Sequence, residues 1–594
     1  MSTLGNLQND KSQRVALAEL LDGTAPSMAL KQDATLAANA LGPGSVARSL
    51  LSHLQDQLIP VTAFAVGDGT TDDTAAFLAA RTAAELANRA LFIPAWATVR
   101  ITDRITLRAL PGLYGPGTIL FDPQAANRTA IDIGDGLSTS NDDRSNIIIQ
   151  GVKFRCTTDL GFISFIRIKN GGGDVSNILI DGCEFHFAYG VETSDDSWAI
   201  SFGGEFGDLI SRIGITRNRL YGLMQLVGNG GEPNYQDIII DGNRVVGGKA
   251  AGIGFTRTRA ATADQSVRKR IRVNNNYIWT DRTYGIYLGM DGDDSLADMI
   301  WDDIQICDNS IYIDGAAGIN PVGILFRAAH STNGLNRRIN ISRNKIHVSS
   351  NVAIHITYPS GTGNARPAEF DVIMQGNDTV GGEVYIEGPL ICRAVGNVGS
   401  SGYFCRRSAN VELTGNNLSR LRIESSTATV KSAGNTYNVR TASVPAINVQ
   451  SSSGATCKLT SMNDSFMADP TSGVASAVFA VGGSAGTTEV RIHNPAIRKE
   501  SDFTAIISLT NGKTIDEITG MKKEGKASIT SGNTTVSVTH GCGYTPAKVI
   551  IGAPNTSWGL AKNVWVDAFG ATTFTINVDA NPGQTVTFPW EAAA

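Results

Sequence analysis

The sequence predicts an all-β chain wound as a parallel β-helix, and three observations carry that reading. The first is a strand–bend–strand unit, Asp237-Ile238-Ile239-Ile240-Asp241-Gly242-Asn243-Arg244-Val245-Val246, that returns along most of the chain. Earlier copies are Asn146-Ile147-Ile148-Ile149-Gln150-Gly151 and Asn177-Ile178-Leu179-Ile180-Asp181-Gly182. Later ones lead to Asn276, Asn309 and Asn344, then shorten to Gly376-Asn377, Gly396-Asn397, Gly415-Asn416 and Gly434-Asn435, with weaker copies ending at Asn463 and Asn494. The second observation is the period: apolar and polar residues alternate in twos and are rich in β-branched types, where helical repeats would step by three and four. The third is one Asn per unit at a fixed register. Asn tolerates a left-handed bend, and stacked amides can hydrogen-bond from coil to coil. No single unit can bury its own apolar side, so the units must stack.

Composition limits the function classes. Of 594 residues, 64 are Gly and 18% are charged, as turn-rich β structure requires, and the formal net charge of -5 gives no reason to expect a nucleic-acid partner. The start, Met1-Ser2-Thr3-Leu4-Gly5-Asn6, lacks a basic-then-apolar leader, and no apolar run is long enough for membrane insertion, so synthesis in a cytoplasm is expected. The seven cysteines have no metal-type spacing and read as buried thiols.

Residues 1–60 read as a helical leader, in which Val46, Leu50, Leu54 and Leu58 form an apolar stripe at four-residue steps. Such a stripe packs on its own domain or around a three-fold axis. Next, Val61 to Phe77 reads as strand, Gly67-Asp68-Gly69 turn and a helix with acidic residues at its start, followed by Leu91-Phe92-Ile93-Pro94. A helix there would plug the open apolar end of the stack. The segment 61–120 resembles the opening motif of the pectate-lyase-like superfamily, in particular bacteriophage tailspike depolymerases, and the coil repeat extends the resemblance over most of the chain.

That resemblance implies a right-handed parallel β-helix over 61–500, with 61–120 as its cap and 1–60 as a neck that attaches to the phage tail or to another tailspike. It implies a homotrimer located in the virion, acting at the bacterial cell surface on capsular polysaccharide or O-antigen. Residues 501–594, with alternating strands from Lys526, read as a β-sandwich, similar to trimerisation end modules of phage tail proteins; Trp558 and Trp565 offer a glycan-binding alternative.

Strand alternation places candidate site residues in columns. His186, Tyr221, Val246, Trp279, Tyr312 and His347 form one outward column, with Glu184, Arg219, Arg244, Tyr277, Ser310 and Lys345 beside it. Stacked rings suit sugar faces, and equally a subunit interface. On the third strand Glu192, Tyr287, Leu325 and His355 are expected to point outward, and the strand ends bring Asp195, Asp196, Arg257, Arg259, Asp291, Asp293 and Asp294 to one edge. Paired carboxylates there would support glycoside hydrolysis, Asp195 or Asp196 with Asp291 or Asp293, and Glu192 as a substitute. Arg257 and Arg259 would hold acidic groups of the polymer, with Trp198 and Tyr287 stacking on its rings. A lyase would instead need a base such as Tyr287, His330 or His355 and a cation such as Arg257, Arg259 or Arg327. A non-catalytic adhesin would use the same groove without cleavage. The Asp291-Gly292-Asp293-Asp294 run lacks the downstream Glu of a calcium loop, so no metal or other cofactor is expected.

Overall fold

The computed structural model describes residues 58–593 apart from short intervening segments. Among those outside the described residues are 135–145, 188–196, 204–208, 258–265, 291–298, 329–334, 359–368 and 469–476. The helical leader therefore lies outside them, except that Leu58, placed by sequence in its apolar stripe, opens a strand, Leu58–Pro60, paired in parallel with Ala90–Phe92. The chain divides into two units, residues 1–336 with 359–368, and residues 337–358 with 369–594.

Each unit is built as right-handed parallel β-helix, three strands to a coil. In the first unit one ladder runs through Val175–Asp181, Leu209–Thr216, Asn234–Asp241, Ser266–Asn274 and Met299–Cys307. The second ladder runs through Glu184–Phe187, Arg219–Gly222, Arg244–Gly247, Tyr277–Thr280 and Ser310–Ile313. The third takes Ser164–Lys169, Trp198–Gly203, Gln225–Asn229, Ala251–Arg257, Tyr284–Met290 and Val322–Arg327. Inward Ile, Val and Phe side chains stack coil on coil into the core, as with Ile178, Ile213, Ile238, Ile271 and Ile304, all at most 1% exposed.

The Asn column is real, and its geometry differs from the expected one. The left-handed residue is the one before each Asn: Arg217, Gly242, Asn275 and Asp308 in the first unit, and Arg343, Gly376, Gly396, Gly415 and Gly434 in the second. The Asn itself is buried and bonds along the stack. Asn276 N–H and Nδ2 both donate to Asn309 Oδ1 at 3.0 Å, Asn243 repeats this to Asn276 at 3.0 and 2.9 Å, and Asn218 to Asn243 at 2.9 and 3.0 Å. In the second unit the file runs Asn344, Asn377, Asn397, Asn416 and Asn435. It ends on Asp464, where sequence placed Asn463; Asn463 takes the left-handed position instead. Asn218 follows a strand whose outward position is Gly214, where neighbouring copies carry a side chain such as Leu179, Ile239, Arg272 or Gln305.

The cap helix is Thr74–Ala87, and Phe77, Ala80 and Ala84 are its buried face. Its acidic residues lie just ahead of the first turn: Asp72 accepts from Thr74 N–H at 3.0 Å, and buried Asp73 accepts from Val66 and Gly67 N–H at 2.8 and 3.0 Å. These aspartates are structural, as expected.

In the second unit the coils give way to two three-stranded antiparallel sheets, with Lys522–Ile529, Val586–Ala593 and Lys548–Ile551 in one, and Thr535–Thr539, Thr573–Val578 and Val564–Asp567 in the other. They enclose one core of Ile529, Phe574, Ile576, Val586, Phe588 and Trp590, which makes a β-sandwich. Six of the seven cysteines are described, and all six are buried free thiols; burial pushes Cys183 and Cys392 up to about 12.

Candidate functional site

The outward column on the first unit's second ladder has the predicted register: His186 is opposite Tyr221, then Val246, Trp279 and Tyr312 follow on successive coils. Beside it Glu184, Arg219, Arg244, Tyr277 and Ser310 are likewise in line. Short strands buried at alternate positions leave both columns on the surface, half-buried or exposed. His186 stacks on Tyr221 with ring centroids 4.8 Å apart, Tyr277 lies 5.7 Å from Tyr312, and the Arg244 guanidinium sits 5.4 Å from the Tyr277 ring. Glu184 is flanked by His186 Nε2 at 3.6 Å and Arg219 Nη1 at 3.8 Å. The result is a wall of rings interleaved with both signs of charge.

The third ladder departs from expectation. Tyr287 and Leu325, predicted to point out to solvent, are each only 6% exposed. Tyr287 packs against Tyr284 at 4.9 Å, and the ladder's register passes over the second position of the strand, from Tyr284 opposite Ala251 to Ile286 opposite Ile253. The Trp198 indole occupies the space above Gly228, where a Cβ would come within 2.0 Å of Cδ1. Trp198 is half-buried, as is Arg327 at the end of Val322–Arg327. The strand ends do not share one edge. Asp195 and Asp196 precede Trp198, the first residue of its strand, whereas Asp291 and Asp293 follow Met290, the last of its own. Those anchors are about 20 Å apart along the strand direction at ~3.3 Å per residue, and about 14 Å apart along the stack at ~4.8 Å per coil. Glu192, Asp195, Asp196, Arg259, Asp291, Asp293, Asp294 and His330 themselves, with Trp558, lie outside the described residues, as does the side chain of Arg257.

His355 leads to a cluster that sequence reasoning missed. On the second unit's third ladder His355 is opposite Tyr385, then Phe404 and Arg422. Ring centroids are 5.5 Å apart for His355–Tyr385 and 5.0 Å for Tyr385–Phe404. Next to this column Glu387, 1% exposed, accepts from Thr357 Oγ1 at 2.8 Å and from Arg406 Nε, with Arg407 Nη1 at 2.9 Å and His355 Nε2 at 3.6 Å. Burial pushes this carboxyl up, but His355, Arg406 and Arg407 outweigh burial and hold it at about 2, so it is ionised. Arg406 lies over both Tyr385 (5.6 Å) and Phe404 (5.0 Å), and Arg422 over Phe404 (4.5 Å). Burial, then the Glu383 carboxylate, raises the Tyr385 phenol. The available signal was the coil length: Asn377 and Asn397 are 20 residues apart, and a step of 19 from Glu387 lands on Arg406.

No family model and no curated protein matches the chain. Among solved structures it is similar to the tailspike protein gp49 of Pseudomonas phage LKA1, at 11% identity and a TM-score of 0.45, covering 90% of this chain and 99% of that one. It is similar to the tailspike protein of E. coli bacteriophage HK620 at 12% identity and 0.39, covering 93% and 96%. A GH87 alpha-1,3-glucanase catalytic unit from Streptomyces thermodiastaticus is similar at 11% and 0.30, covering 77% and 69%. The fold stands on this chain's own strand register.

Proposed function

We propose that this protein is a tailspike that binds and depolymerises a bacterial surface polysaccharide, capsule or O-antigen, by glycoside hydrolysis. The observation that carries the reading is the wall of His186, Tyr221, Trp279, Tyr312 and Tyr277 interleaved with Glu184, Arg219 and Arg244 on consecutive coils. Sugar C–H faces pack on such rings while hydroxyls bond to the charged neighbours, and the coil spacing offers repeated positions to a repeating polymer. The chemistry is assigned to a carboxylate pair drawn from Asp195, Asp196, Asp291 and Asp293, with Glu192 as the substitute. One carboxyl protonates the leaving oxygen and the other activates water or attacks the sugar. Assembly as a homotrimer, a virion location and attachment through residues 1–60 belong to the same proposal, as does a trimerisation or glycan-binding role for residues 501–594.

Elimination from a uronate is the second reading, favoured by one observation: His355 stands beside Tyr385 with Arg406 and Arg407 close by, a base next to cations. The two reactions separate in one digest of host glycan. Hydrolysis yields new reducing ends alone, whereas elimination adds the ultraviolet absorbance of a conjugated double bond. Failure to release either product from the glycans of any susceptible host refutes the enzymatic reading.

A further inference from the structure

The His355–Arg422 face of the second unit carries a charge that its neighbours do not neutralise. Four guanidinium groups, Arg406, Arg407, Arg420 and Arg422, meet three carboxylates, Glu383, Glu387 and Glu424. Arg420 is engaged by Glu383, with Nε donating at 2.9 Å, and Arg422 by Glu424 through Nε and Nη2 at 2.9 and 2.7 Å. Among the described residues Arg406 and Arg407 share Glu387 alone. One positive charge is left over among the described residues.

Arg406 is held in a way that leaves its far edge available. Its Nε donates to the buried Glu387 carboxylate, and its plane rests near the rings of Tyr385 and Phe404. Among the described residues its Nη groups donate to nothing, and the side chain is 29% exposed. A guanidinium fixed at Nε and supported by rings has lost its rotamer freedom in advance, and the remaining Nη edge presents paired donors that match a planar or tetrahedral oxyanion. Glu387 is therefore a positioning residue for Arg406.

We propose that Arg406 is the anion-recognition group of a second glycan subsite, which takes a sugar bearing an oxyanion, a carboxylate or a phosphate, with the sugar ring lying along half-exposed Tyr385. The inference rests on the glycan-binding reading above and narrows it: the polymer carries acidic groups. It involves none of the residues of the first unit's wall.

The test is a ligand-observed NMR titration of the full chain with D-glucuronate, D-glucose 6-phosphate and D-glucose. An oxyanion sugar is expected to bind on the order of tenfold more tightly than glucose, and the tighter of the two names the group. Arg406→Lys keeps the charge and the aliphatic stem but not the fork, so it is expected to remove most of that preference. Arg406→Gln serves as the uncharged control, and circular dichroism confirms that each variant is folded. Equal binding of the three sugars by the unaltered chain, or an unchanged preference in both Arg406 variants, overturns the proposal. A persistent oxyanion preference with no binding of host polysaccharide would instead defeat the glycan reading and leave the anion site standing.

Discussion

Two buried carboxylates respond to pH in opposite directions. Glu387 is held below the ordinary value, so its stabilising effect is present above the unfolded carboxyl range and is lost as pH falls through about 2. Glu387→Gln is expected to cost about 3–5 kcal/mol at neutral pH, because two guanidinium groups lose their shared counter-charge, and to flatten the acid limb of urea-unfolding curves. Asp464 is raised by burial, against hydrogen bonds from Ser461 and Ser432 hydroxyls at 2.6 and 2.7 Å and from Asn435. The folded state holds that proton more tightly than the unfolded chain, so the stabilising effect is complete at low pH and fades as pH rises through the folded value. Asp464→Asn, which restores the side chain found on every earlier rung of this file, is expected to be neutral or stabilising at pH 7 and to remove that fading. A loss of more than about 2 kcal/mol at pH 7 would show that the carboxylate itself is required there.

Whole elements depend on the amide file and on the outward wall. Asn276→Ala removes the donor to Ile240 O at 2.9 Å and the acceptor of Asn243, leaving buried polar groups unpaired on the preceding coil. At ~1–3 kcal/mol for each buried group left unpaired, a cost of about 3–5 kcal/mol is expected in denaturant unfolding, well above that of an exposed Asn such as Asn275. On the wall, Tyr221→Ala and Trp279→Ala are each expected to weaken host-glycan binding by about 1–2 kcal/mol, roughly tenfold, without moving the melting temperature. Replacing Asp195, Asp196, Asp291 and Asp293 singly by Asn checks the catalytic assignment, and full activity in all four rejects it. The wall was legible in the sequence because a recurring Asn marks the start of each second strand, so alternation alone puts Tyr221 and Trp279 in one column. The third strands have no such marker. There Tyr287 is buried and Trp198 lies over Gly228, contacts between residues that simple alternation does not bring together.

At the scale of the molecule, the repeat itself gave away the architecture, since units that cannot bury their own apolar faces admit few arrangements. Partnerships between coils were harder to read. Glu387 and Arg406 become neighbours only once the short coils around Asn377 and Asn397 are aligned, and Asp464 is recognised as the last rung only when Asn463 is seen in the left-handed position. The terminal sandwich has a core of its own, Ile529, Phe574, Ile576, Val586, Phe588 and Trp590. Phe588→Ala is therefore expected to cost about 3–5 kcal/mol in the sandwich's own unfolding step and to leave the coil transition in place, as calorimetry can resolve.

The head-to-tail file of side-chain amides bears on how such a chain changes length. From Asn377 to Asn435 the steps are 20, 19 and 19 residues, and every rung both receives from the previous turn and gives to the next. A duplicated turn would arrive with its own acceptor and donor, so gain or loss of a complete turn leaves no bond dangling, while a partial one breaks the file. Natural variation in this stretch should come in multiples of one turn, inserted ahead of the carboxylate that receives without passing anything on.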